Sequence, residues 1–146
     1  MSVYDDIRSA LEVRLAATTD VPAISYENVK YIPTTGTPYI QSRVIYSSRV
    51  PATRGLNQST GKPHQHRYRG VFQLLLHYPE DVGPSASQEM VNTLIDRFES
   101  STDISFTNTI PKTIYVTVDY AEQMGAYNRS PWYVTPVNIN WYCYDT

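Results

Sequence analysis

The apolar positions of this chain change period along its length, and the changes predict the elements. Val3, Ile7, Leu11 and Leu15 recur every fourth residue with Ala10 beside them. That spacing predicts an amphipathic helix of about fourteen residues ending near Thr18. Ser2 precedes it as an N-cap with Asp5 at the third helical position, and Asp6 adds charge at the positive end of the helix dipole. A second run, opened by Pro84 and Ser85 and closed by Ser100 and Ser101, aligns Ala86, Met90, Val91, Leu94, Ile95 and Phe98 and predicts a second helix.

Elsewhere the period is two, or there is none. Phe72 to Leu76 is apolar on both alternating faces, which predicts a strand in the middle of a sheet, stopped by Pro79. Tyr39 to Val50 predicts a strand polar on much of one face, and Ile24 to Val29 and Ile104 to Phe106 predict short ones. Ile114, Val116, Val118 and Tyr120 alternate with Thr113, Tyr115, Thr117 and Asp119, the mark of a strand with one buried face. After a polar connection over 121–130, the last strand should turn Val137, Ile139, Trp141 and Cys143 inward and Asn138, Asn140, Tyr142 and Tyr144 outward. Its Pro136 points to an edge or a bulge. Helix, strands, helix, strands, without a strand-helix-strand rhythm, predicts an α+β fold. We expect a mainly antiparallel, curved β-sheet with two α-helices packed on one face, in a single domain over residues 1–146. Arg49 to Lys62 lacks any apolar period, so a long flexible loop is expected at about 49–66.

Charge changes this picture more than composition does. The net charge is only -2, yet residues 31–79 hold six bases and no acid, whereas residues 80–146 hold nine acids and three bases. A chain sorted in this way can attract copies of itself head to tail, the contact from which rings close; alternatively, the two blocks face each other within one fold. Thirteen tyrosines against three phenylalanines suit half-wet strands and interfaces. One cysteine excludes an internal disulfide framework, and no apolar run is long enough to span a bilayer. Asp5 and Asp6 stand where a secretory leader needs a basic-then-apolar run, so maturation in a cytoplasm is expected.

Motifs for catalysis are absent. There is no Gly-rich phosphate loop and no Gly-x-Ser-x-Gly elbow, and Cys143 falls on the inward face, where a lone thiol behaves as a small hydrophobe. His64 and His66 form a His-x-His pair, but no carboxylate in their segment completes a metal site and His77 lies a strand length away, so neither metal nor cofactor is expected. What remains is the acid-free basic run, with Tyr46 and Tyr68 interleaved. Arg49, Arg54, Lys62, His64, His66, Arg67 and Arg69 are the candidate contacts, to an acidic protein surface or to DNA passing through a ring. The isoelectric point near 5.9 argues against a dedicated nucleic-acid binder.

Taken in order, several segments resemble the tail terminator, or tail completion, proteins of tailed bacteriophages. They are the amphipathic N-terminal helix, YENVKYIPTTGTPYIQSRV, HRYRGVFQLLLHYP, the helix after Gly83, and WYVTPVNINW. The Arg-x-Arg-Gly lead-in to an apolar strand and the Trp-Tyr start of the last strand are the most specific pieces. The resemblance implies a non-enzymatic virion protein at the head-proximal end of the tail, assembled in the host cytoplasm. Its relatives form a ring, commonly hexameric, that caps the tail tube, ends polymerisation and offers a docking surface to the head-tail connector. The implied partners are the chain itself, the tail tube protein and the connector or stopper, with DNA in the lumen and no membrane. A connector or stopper between portal and tail would share the ring geometry. A nucleic-acid-binding or metal-dependent phage protein is the alternative of a different class.

Overall fold

The computed structural model describes residues 2–52, 61 and 65–145. Helix α1 spans Val3–Ala16 and starts with a complete capping box: the Asp5 N–H donates to Ser2 Oγ, and the Ser2 N–H donates to Asp5 Oδ2. Ile7, Ala10, Leu11 and Leu15 are its buried face. Helix α2 spans Ser85–Arg97. Its buried face is Ser87, Met90, Val91 and Leu94, with Ile95 partly buried and Phe98 at the C-cap. Ala86, expected inside, is exposed; Ser87 takes the inner position by returning its hydroxyl to the Pro84 carbonyl at 3.0 Å.

The strands are β1 (Ala23–Ser25), β2 (Tyr39–Pro51), β3 (His66–Pro79), β4 (Asp103–Thr107), β5 (Thr113–Gln123), β6 (Tyr127–Arg129) and β7 (Trp132–Asp145). They form one sheet in the order β1-β2-β3-β7-β5-β4, with β6 on β7. Every pairing is antiparallel except β1 with β2, so the sheet is mixed, and it curls into a half-barrel. Both helices and one face of the sheet share a single core. From β3 it takes Tyr68, Phe72, Leu74, Leu76 and Tyr78, from β5 Ile114, Val116 and Val118, and from β7 Val137, Ile139, Trp141 and Cys143. The α+β architecture with both helices on one face is therefore the fold, and β3 lies in its middle as its two-sided apolar pattern requires.

The opposite face carries no helix. At its far end a small second cluster forms from Tyr39, Trp132 and Val134, with Tyr31 and Leu75 packed against it. His77 stacks on Tyr39 at 4.3 Å and is buried rather than partly exposed.

Several expectations are corrected. Tyr120 is 47 % exposed, because a bulge between Val118 and Tyr120 reverses the alternation and turns Ala121 inward in its place. Residues 121–130 are not a plain connection: β5 runs on to Gln123, and β6 returns against β7. Pro136 is on a central strand; it falls at the seam between the last β5 pair, Gln123 with Val137, and the first β6 pair, Tyr127 with Val134. Asp6 is not a solvated dipole partner. It is 2 % exposed and accepts a hydrogen bond from Asn108 Nδ2 at 3.1 Å, while Asn108 Oδ1 accepts from the N–H groups of Ile110 and Lys112. The first strand ends at Ser25, short of Val29. Finally, β2 extends through Pro51 and β3 begins at His66, so both ends of the expected loop belong to the sheet.

Candidate assembly interface

The bulge between Tyr46 and Ser48 sets the face that Arg49 of β2 presents, and alternation along β3 sets those of His66, Arg67 and Arg69. Arg49 lies opposite Tyr68, on the helix-bearing face, with its guanidinium 5.7 Å from the Tyr68 ring centroid and Nη2 3.5 Å from His66 Nδ1. Arg67 and Arg69 lie one position to either side of Tyr68 and so project from the helix-free face. The candidate residues are thus divided: Arg49 and His66 meet on one face, Arg67 and Arg69 on the other. Arg54, Lys62 and His64 lie outside the described residues.

Gly70 holds this region together. A Cβ there would meet the Ile45 carbonyl oxygen and sit 2.6 Å from Trp141 Cζ2, so only glycine lets the indole lie against β3 on the core side, behind the face that carries the basic pair. Across the β3–β7 ladder, Arg67 opposes Tyr144 and Arg69 opposes Tyr142. These four side chains, with Asp119 from the β5 bulge, line a cleft of about 240 Å³. The two tyrosine rings stand edge to face at 5.8 Å. Arg69 is exposed, whereas Arg67 is half-buried and its Nε has no hydrogen-bond partner.

The ion pairs found are Arg8 with Glu12, Arg8 with Glu27 and Lys112 with Asp145. Among the described residues, none involves Arg67, Arg69 or Asp119. Asp119 is the carboxylate of the acidic half that lines this cleft, so the two blocks offset each other there only in part. Tyr142 and Tyr144 were legible as outward-facing positions, but that they flank the arginines follows only from the strand order. Asp119 was legible as an outward position of its strand, but its meeting with the arginines likewise follows only from the strand order.

The chemistry available is that of recognition. Cys143 is buried, which together with the nearby Asp145 carboxylate pushes its thiol up to about 12, so it is not a thiolate at neutral pH. Among the described residues no group of three His, Cys, Asp or Glu side chains is placed to hold a metal, and no helix is long and apolar enough to cross a membrane. The cleft instead has the arginine and tyrosine composition of protein-protein contacts, on a sheet face that carries no helix among the described residues.

Nine chains of solved structures match; one of them shares the fold with a TM-score of 0.70 at 21 % identity, covering 100 % of this chain and 98 % of its own. No curated protein matches. The family model for phage tail terminator proteins matches residues 6–141, nearly the whole chain, and the chain belongs to that family.

Proposed function

We propose that the chain is a non-catalytic ring-forming protein that caps the head-proximal end of the phage tail tube, stops tube polymerisation and presents a docking surface to the head-tail connector. Family membership makes it a structural component of the phage tail. The observation that carries the finer reading is the Arg67–Arg69 pair on the helix-free face, which makes no ion pair among the described residues and meets one carboxylate, Asp119, in its cleft. Such a surplus favours heterologous contact between identical subunits over self-pairing, and closed rings are the stable outcome of that contact. Six subunits is the stoichiometry we propose, and the lumen of such a ring would pass DNA.

Native mass spectrometry of the purified chain, with and without tube protein, tests this. At low salt a closed oligomer centred on six is expected, losing subunits as the salt concentration rises because exposed charge contacts are screened. A monomer at every salt concentration, with tube protein present, overturns it.

A further inference from the structure

The strand that carries the basic pair at one end leads into an acidic turn at the other, in which Glu80 is half-buried and Asp81 exposed. Glu80 and Asp81 follow β3 directly, about 36 Å from Arg69 at the usual rise of a strand. Asp81 (φ 66°) and Gly83 (φ 80°) both lie in the left-handed region, giving the turn a defined shape. That shape holds Val82 outward at 66 % exposure, an apolar side chain between an acid and a glycine. Among the described residues, neither Glu80 nor Asp81 has an ion-pair partner.

The cleft at the other end is the chemical complement of this tip. Arg67 and Arg69 offer guanidinium forks suited to carboxylates. Tyr144, 46 % exposed, offers the apolar surface a valine needs. Asp119 offsets one of the two positive charges and leaves the cleft with a net charge of one. Within one molecule the two ends of β3 cannot meet, so the complement must come from another copy.

We infer that the Glu80-Asp81-Val82 turn of one subunit docks into the Arg67, Arg69, Tyr142, Tyr144 cleft of its neighbour, a head-to-tail contact. This rests on the ring reading above and names the surfaces through which it is made.

The test is a charge swap read by native mass spectrometry and sizing at low salt. Arg67→Glu with Arg69→Glu reverses the cleft, and Glu80→Lys with Asp81→Lys reverses the tip. Each variant alone should need at least about tenfold more protein to assemble than the wild type. Mixed in equal amounts they should assemble again, because the reversed cleft of one accepts the reversed tip of the other. Alternation also requires an even number of subunits in the restored ring. The milder exposed pair, Arg69→Glu and Asp81→Lys, gives the same readout should the double variants fold poorly, and Asp119→Asn should tighten assembly.

If both variants assemble as the wild type does, or if neither is rescued by the other, the docking is wrong while the ring reading stands. A wild type that is monomeric throughout overturns the ring reading and the docking with it.

Discussion

His77 shows what one residue on the helix-free face contributes. Stacked on Tyr39 and edge-on to Trp132, it is desolvated, and burial holds its pKa below the ordinary value of 6.5. The contact of Nδ1 with the Leu75 carbonyl works in the opposite direction, and the nearby Arg129 charge adds to the lowering. Because the folded-state pKa is depressed, the unfolded chain takes up the proton first as the pH falls. The stability His77 contributes is therefore complete above about pH 6.5 and is lost as the pH drops towards its folded-state value. Thermal denaturation of the wild type and of His77→Gln from pH 8 to pH 5 checks this. The Tm gap between the two should narrow on acidification, and a gap that stays constant would show that His77 is not neutral in the fold.

At the scale of elements, the bulge in β5 decides which side chains reach the cleft. Strict alternation would put Tyr120 in the core and Ala121 outside, but the extra residue, Asp119, reverses this and itself joins the cleft. Asp119→Asn should leave stability within about 0.5 kcal/mol, as for most surface substitutions. Deleting Ala121 instead should cost several times more, since it slips the end of β5 by one residue and drives Glu122 towards the inward space that Ala121 occupies. Equal denaturation midpoints for the two variants would contradict this role. The same strand marks the boundary of what the sequence made legible. As far as Val118 the alternation is local and could be read directly, as could the four-residue spacing and cap of α1. The bulge has no such local signature: it is imposed by pairing with β7, more than twenty residues later. The Asp6–Asn108 bond joins residues 102 positions apart, and the strand character of Arg49–Pro51 depends on pairing with β3 rather than on any apolar period of its own. The candidate site was readable as a charged run. The placing of Arg49 on the face opposite Arg67 and Arg69 was not, because one residue of bulge in β2 sets the side on which Arg49 emerges.

For the whole molecule, the sheet shows where the two charged blocks lie. The basic segment and the acidic half are neighbours in the fold, yet Arg67 and Arg69 face away from the helices beside two tyrosines and make no ion pair among the described residues. A protein built in this way keeps its recognition groups for other molecules, as a component of a phage tail must. Ending tube growth needs a surface that fits the last tube ring but gives no footing to another. A ring with one face for the tube and another for the connector meets that need without catalysis.

The central claim is that this ring ends polymerisation, and tail length in particles made without the chain tests it most directly. Electron micrographs should show tube lengths running well past the uniform wild-type value, with that value restored when the purified chain is added back. Tails of normal, uniform length in its absence would contradict the account.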